Sequence, residues 1–459
     1  MDRRATVWLP ILVLAAIAAQ LFYDFAFLPW RDLLVSDMGY FWERALRHLG
    51  GDERSVSQWF VWPVLPHIAM SWVIRLADAV GLSSYRLEFY LVLVAILHGS
   101  CVYAIYRAAE RLYYKRHDAA LMAAALYGFF PPLIHLNGHV LSEGFAQPLL
   151  VWSVCMLIYR PLHWWMVALS GAIFGISAAM RPAYGLFGLV LAAIIAVRVS
   201  DWKLWLPRAV ALGAGFLVPI LANAAYLHHV SEGRMSGIGG NGALVFFMHQ
   251  CRPGGWAIVN PMLLPRGEGF NDCALYRRIH PPLERSLWVK TSMKELKACN
   301  GRVYGQPPAL MEFADRPFLV TPHMPWNKDF FFGLGLECFK QRGLVRQLAG
   351  DFWQTRKLFM FFFPDQVFDD GKKGIRFGFV LKLILASNAL FFLCGLMLAW
   401  WFKLKGGGRV SPLLLVLTGI PALAYLTSMF FAIDGRYLVP SVISACLAFP
   451  LFRKSELEI

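Results

Sequence analysis

The sequence predicts an all-α polytopic membrane protein, and three observations predict it. Hydrophobic residues make up 58% of the 459 residues and charged ones only 16%, whereas about a quarter of a soluble protein is charged. Apolar runs long enough to cross a bilayer recur from end to end, with a mean hydropathy of +0.50. Lys and Arg collect in alternate short connections, as cytoplasmic loops require. The net charge of +15 therefore speaks of topology first. No folded basic module is visible, so nucleic acid is not an expected partner.

Window hydrophobicity places about ten spans, at 7–28, 86–106, 119–134, 141–159, 163–180, 183–198, 208–229, 376–402, 411–431 and 437–452. The first follows "MDRR". It contains "AIAAQ", a loose likeness of a cleavage site, but runs on past it and is too long for a signal-peptide core, so it counts as a span. With the N-terminus inside, the inner segments are "RAAERLYYKRHD", "RPLHWW", "RVSDWKLWLPR", "KLKGGGR" and the terminal "RKSELEI", and each carries Lys or Arg. Both termini are thus expected in the cytoplasm. Only "RPA" divides the spans at 163–180 and 183–198.

The opposite side receives Pro29 to Tyr85, "PPLIHLNGHVLSE", a loop of about 145 residues from Val230 to Ile375, and "AIDGRY". The chain thus divides into an N-terminal transmembrane module (1–229, with the outer loop 29–85), a large extracytoplasmic loop (230–375) and C-terminal transmembrane helices (376–459). The large loop is rich in Pro and Gly and lacks sustained periodicity. It reads as an irregular outer domain with short helices near Lys290 to Ala298 and Gly335 to Leu348. It holds Cys251, Cys273, Cys299 and Cys338, which in an oxidising compartment suggest two disulfides of open connectivity, or else free thiols. Cys101, Cys155, Cys394 and Cys446 fall in spans and read as small apolar fillers.

Four outer-face motifs carry the candidate chemistry. In "LLVSDMGYFWERAL", a helix starting near Met38 puts Phe41, Trp42, Ala45, Leu46 and Leu49 on one stripe and Glu43, Arg44, Arg47 and His48 on the other. That is an interfacial helix lying on the membrane. Asp37 stands at its head, either as an N-cap or as a catalytic carboxylate. In "NGHVLSEGFAQPLL", Glu143 enters a span, either as a first-turn acid with Ser142 as cap or as a site residue, and His135 and His139 precede it. In "AAMRPAYG", Arg181 either snorkels to the headgroups or binds phosphate, and Pro182 suits a first helical position. In "FFAIDGRYLVPSV", Asp434, Arg436 and Tyr437 reach the same face, where an internal ion pair or an aromatic anchor would also explain them. The four motifs come from four separate loops, and the topology puts all of them on one face. Such a set suits a lipid-anchored phosphate and a hydroxyl nucleophile. Few ionisable residues lie within spans, Asp24, Glu88, His98 and Lys382 being the main ones, which argues against a midplane transport path.

At these residues the chain resembles the C-type (GT-C) superfamily of polyprenyl-phosphate-sugar-dependent glycosyltransferases, which includes protein O-mannosyltransferases and lipid A aminoarabinose transferases. The resemblance rests on "SDMGYFWERA" with Asp37 and Tyr40, on "LSEGFAQPLL", on "AAMRPAYG" and on "GRYLVPS". It covers roughly 1–229 and 376–452 and leaves the large loop aside. It implies transfer of one sugar to a lipid, glycan or protein hydroxyl at the extracytoplasmic face of a bacterial inner membrane. It also implies Asp37 as general base, Arg181 and Arg436 on the donor phosphate, and Glu143 orienting the acceptor or holding a basic residue. Tyr40, His139, Asp434 and Tyr437 are further site candidates. Many relatives carry a second acid beside the first-loop Asp. Here Ser36 and Met38 flank Asp37, so a divalent metal is possible but not favoured, and no other cofactor is indicated. Relatives also often have Glu before the late Arg-Tyr, where this chain has Asp434-Gly435. Two rival classes share parts of the pattern: a flippase or transporter of a lipid-linked sugar, and an outer-face polymer ligase using a diphosphate lipid.

Overall fold

In the computed structural model the described residues are 3–26, 34, 37–51, 63–114, 116–199, 201–230, 246, 309–313, 316–320, 332, 336, 339–340, 388, 393–401, 412–430 and 439–452. The described membrane part is helical throughout. Its helices are α1 (Arg3–Ala26), α2 (Asp37–Leu49), α3 (Val64–Ala79), α4 (Arg86–Leu112), α5 (His117–Gly128), α6 (Pro131–Asn137) and α7 (Glu143–Tyr159). They continue with α8 (Trp164–Met180), α9 (Gly188–Val199), α10 (Trp202–Val230), α11 (Pro412–Leu417), α12 (Gly419–Phe430) and α13 (Ser441–Ala448). In the large loop, β1 (Ala309–Phe313) pairs antiparallel with β2 (Arg316–Val320), a hairpin that the loop's lack of periodicity did not announce.

Among the described residues, four helical stretches are long and apolar enough to cross a membrane: Val7–Ala26, Ser83–Leu112, Pro182–Val199 and Trp202–Val230. A fifth arises if α5 and α6, bent by 48° at their junction, are one broken span. The sequence predicts a continuous span over 119–134, and the break has a local cause. Phe129 and Phe130 are followed by Pro131 and Pro132. Proline removes an amide donor and pushes the residue before it out of the helical region, and Phe130 is extended at φ −71° and ψ 109°. The expected division at "RPA" is sharper than a loop. Arg181 is extended at φ −138° and ψ 93°, and a 3-10 turn over Pro182–Phe187, with Pro at its start, leads into α9.

The core forms around α4, which packs on α1, α3, α5, α7 and α13. Helices α1 and α10 turn large apolar residues such as Leu14, Phe22, Val210, Val218 and Leu221 outward, the face a lipid-exposed helix presents. Cys101, Cys155 and Cys446 are buried free thiols, as filler cysteines should be, while the free thiol of Cys394 is exposed. The four large-loop cysteines lie outside the described residues.

The tightest crossing joins α8 and α10, and glycines set it. Among lipids, helices associate where small residues let backbones meet. "GAIFG" places Gly171 and Gly175 against the Leu212 and Phe216 carbonyls, and Gly215 lies on the Ala168 carbonyl. A Cβ at Gly175 would stand 2.5 Å from the Phe216 oxygen, closer than backbone atoms tolerate. Gly215→Ala is therefore expected to destabilise the fold by about 1–3 kcal/mol, the usual effect of overpacking, even though Ala is the better helix former. Gly213, two residues away on the same helix, has open space where a Cβ would go. Thermal unfolding should show a lowered midpoint for Gly215→Ala and none for Gly213→Ala. Equal midpoints would dismiss the glycine contact.

Candidate functional site

The centre of the candidate site is an ion pair between two of the predicted residues. Glu143 opens α7 and is 1% exposed. Arg181 follows the end of α8, and its Nη1 meets Glu143 Oε1 at 2.5 Å. The expectation of Ser142 as a side-chain cap is not met, because its hydroxyl donates to Glu143 Oε2 at 2.8 Å instead. Arg181 Nη1 also donates to Ser142 Oγ at 3.5 Å, and the guanidinium lies 5.7 Å from the Tyr184 ring centroid. Arg181 does not snorkel: its side chain is 12% exposed. A guanidinium held from two sides by a carboxylate and an aromatic ring is aimed rather than free to wander.

Three further contacts draw the other motif-bearing segments towards this pair. Tyr184 OH donates to Gln147 Oε1 at 3.3 Å. Gln147 Nε2, one turn after Glu143, donates to the Val439 carbonyl at 3.5 Å, so the start of the last helix lies beside α7. Ser177 Oγ donates to the Ala146 carbonyl at 2.6 Å and locks α8 to α7. On the first-loop side, Trp42 of α2 meets Tyr90 edge-on at 6.1 Å between ring centroids. Tyr90 in turn donates to the Leu141 carbonyl at 3.4 Å and packs edge-on against Phe145. Tyr90 therefore couples the helix that Asp37 opens to the segment that Glu143 opens.

Helix α2 departs from its predicted face. Leu46 is exposed and Arg44, expected on the polar side, is fully buried. The reason is that α2 packs on α3 and reaches Tyr226 of α10 through His48. His48 of α2 meets the His67 ring at 6.1 Å and the Tyr226 hydroxyl at 3.5 Å. Burial lowers the Arg44 guanidinium to about 9, so it stays charged at neutral pH. Burial and the neighbouring Arg44 charge hold His67 well below the usual histidine range, so it stays neutral there.

A second polar cluster lies between α1 and α6. Gln20 Nε2 donates to Asp24 Oδ1 and to the Ile134 carbonyl, both at 2.8 Å. Tyr23 OH and His135 Nδ1 are 2.6 Å apart, and His139 Nδ1 donates to the His135 carbonyl at 2.7 Å. His139 is thus buried and fixed by backbone bonding, four residues before Glu143. His98 donates from Nε2 to the Gly128 carbonyl at 3.0 Å and accepts from Asn137 Nδ2 at 3.2 Å, which suits a core histidine. Among the described residues no three His, Cys, Asp or Glu side chains are grouped to hold a metal ion.

Of the other predicted residues, Asp37 opens α2 and Tyr40 lies in its first turn, their side chains being outside the described part. Asp434, Arg436 and Tyr437 lie outside the described residues, although Val439, two positions on, is described beside Gln147. Sequence reasoning missed Tyr90, Gln147 and Tyr184. Gln147, a lone amide in an apolar run, and Tyr184, two residues past Pro182, were the available signals. Compared with family models, characterised proteins and solved structures, the chain matches none.

Proposed function

We propose that this chain is an integral membrane glycosyltransferase that moves a sugar from a polyprenyl-phosphate donor to an acceptor hydroxyl at the extracytoplasmic face. One observation carries the reading. The buried Glu143–Arg181 pair sits where segments of four separate sequence motifs gather, through Trp42–Tyr90 for the first and Gln147–Val439 for the last. Membrane-level burial next to apolar helices suits a donor whose tail is lipid and whose head is a phosphate.

In the proposed step the acceptor oxygen bonds to the anomeric carbon as the carbon–oxygen bond to phosphate breaks. The phosphate leaves with the electron pair. Asp37, at the head of α2, accepts the acceptor's proton. Arg181, with Arg436, stabilises the departing phosphate. Of the two roles considered for Glu143, holding a basic residue suits the geometry better than orienting an acceptor, because its carboxylate is engaged by Arg181 and Ser142. We further propose about ten crossings in a bacterial inner membrane, with the 17-residue helices α7 and α8 as short spans and the large loop as an outer domain.

The test is a reconstituted assay. Purified protein in liposomes receives polyprenyl-monophosphate sugars labelled in the sugar, with an envelope lipid and glycan extract as acceptor. The expected result is label in a new product together with free polyprenyl phosphate. Movement of the intact donor across the bilayer without cleavage would replace the transferase by a flippase. Reaction with diphosphate donors alone would replace it by a polymer ligase.

A further inference from the structure

At the end of α7 away from Glu143, one helix length of about 25 Å off, a second charged group gathers. Tyr159 ends α7, and two guanidiniums approach its ring: Arg160 at 5.2 Å and Arg107 of α4 at 5.8 Å from the centroid. Arg198 of α9 donates from Nη1 to the Leu157 and Arg160 carbonyls, at 2.5 and 2.9 Å, and so closes the end of α7. Arg111 lies one turn after Arg107 on α4, on the same face of that helix. Four arginines thus gather, two on α4, one on α9 and one in the connection after α7, and among the described residues Glu110 bonds Arg107 at 3.1 Å and also approaches His117. Nearby Asp118 is engaged by Arg116. Positive charge is left over, and Arg111 and Arg160 are exposed.

The level of this cluster identifies what can neutralise it. Large aromatic residues project outward beside it: Tyr114 after α4, Trp164 and Trp165 at the start of α8, and Trp202 at the start of α10. Exposed Trp and Tyr at helix ends mark the membrane–water boundary, where ring and headgroup share a depth. The arginines therefore stand at headgroup level, between transmembrane helices, on the face that the Lys/Arg distribution assigns to the cytoplasm. Basic pockets in that place accept lipid phosphates. We propose that Arg107, Arg111, Arg160 and Arg198 form a binding site for the phosphodiester headgroup of an anionic glycerophospholipid. Arg198 holds the end of α7 in place, Arg107 and Arg160 lie against the Tyr159 ring, and exposed Arg111 and Arg160 meet the phosphate directly. The aromatic belt favours a lipid over soluble phosphate, because the acyl chains would run along its rings. The inference does not rest on the transferase reading.

Native mass spectrometry of the full chain, released from a nonionic detergent, tests it with phosphatidylglycerol, phosphatidylcholine and inorganic phosphate as the probes. Phosphatidylglycerol should bind well above phosphatidylcholine, and inorganic phosphate should neither bind measurably nor compete. Arg111→Gln and Arg160→Gln should each weaken phosphatidylglycerol about fivefold, and the pair about 25-fold. Arg116→Gln, on the same face but paired with Asp118, should bind as wild type. Should the double variant prove unstable, Arg111→Gln alone carries the comparison, since its side chain is exposed. Equal binding of the two lipids, unchanged affinity in Arg111→Gln, or competition by inorganic phosphate would overturn the lipid site.

Discussion

Replacing Asp37 by Asn is expected to lower sugar transfer by about two to four orders of magnitude, the usual contribution of a positioned acid or base. Asp37 is the first residue of α2, so it has a structural reading as a helix cap and a chemical one as the proton acceptor. Asn separates the two. It is nearly isosteric and ranks with Asp as a cap, so α2 should stay docked through Trp42 and Tyr90 and the unfolding midpoint should hold. An amide cannot take the acceptor's proton, so turnover should collapse while donor binding persists. The measurement is transfer from a polyprenyl-phosphate donor by both forms, with thermal unfolding in parallel. Near-normal transfer by a stable Asn variant would leave Asp37 as a cap alone.

The second large effect is expected at Glu143 and Arg181. Glu143 is buried and Arg181 largely so, and breaking such a pair from one side leaves an uncompensated charge, at up to about 3–5 kcal/mol. Glu143→Gln should therefore destabilise strongly, although the amide can still meet Ser142. Arg181→Met should destabilise comparably by leaving the carboxylate of Glu143, which is 1% exposed, without this cation. The double variant Glu143→Gln/Arg181→Met should recover most of that stability, because the two losses share one interaction. Activity should not recover with it, since the proposed phosphate ligand is gone. Recovery of both would make the pair structural. Additive losses of stability would show that the two residues do not act as a unit.

The helical character of the described membrane part was legible from composition and apolar runs, because a bilayer forces every backbone amide to bond within its own segment. Local chemistry also carried through. Pro182 begins a 3-10 turn after Arg181, and α7 begins at Glu143. Each of these depends on a few neighbouring residues, which a sequence displays. The meeting of Glu143 with Arg181 was only implied, by assigning both to one face, since topology fixes a side of the membrane and not a contact.

Other features depended on packing. Phe129–Phe130–Pro131–Pro132 announced a break by its prolines, yet window hydrophobicity averages over such a step and returned a single span. The amphipathic pattern of α2 placed Arg44 on the polar side, because helical periodicity assumes one apolar neighbour. Packing on α3, with His48 reaching α10, gave that side a neighbour too, and Arg44 was buried. Tyr90 as the link between the first loop and Glu143, and Val439 as the partner of Gln147, join residues 51 and 292 positions apart respectively. The sequence by itself therefore determined that the described membrane segments are helical and where several of them start. Only the tertiary structure decided which of their charges touch, because a contact is set by how neighbouring helices fill each other's surfaces and not by the residues along any one of them.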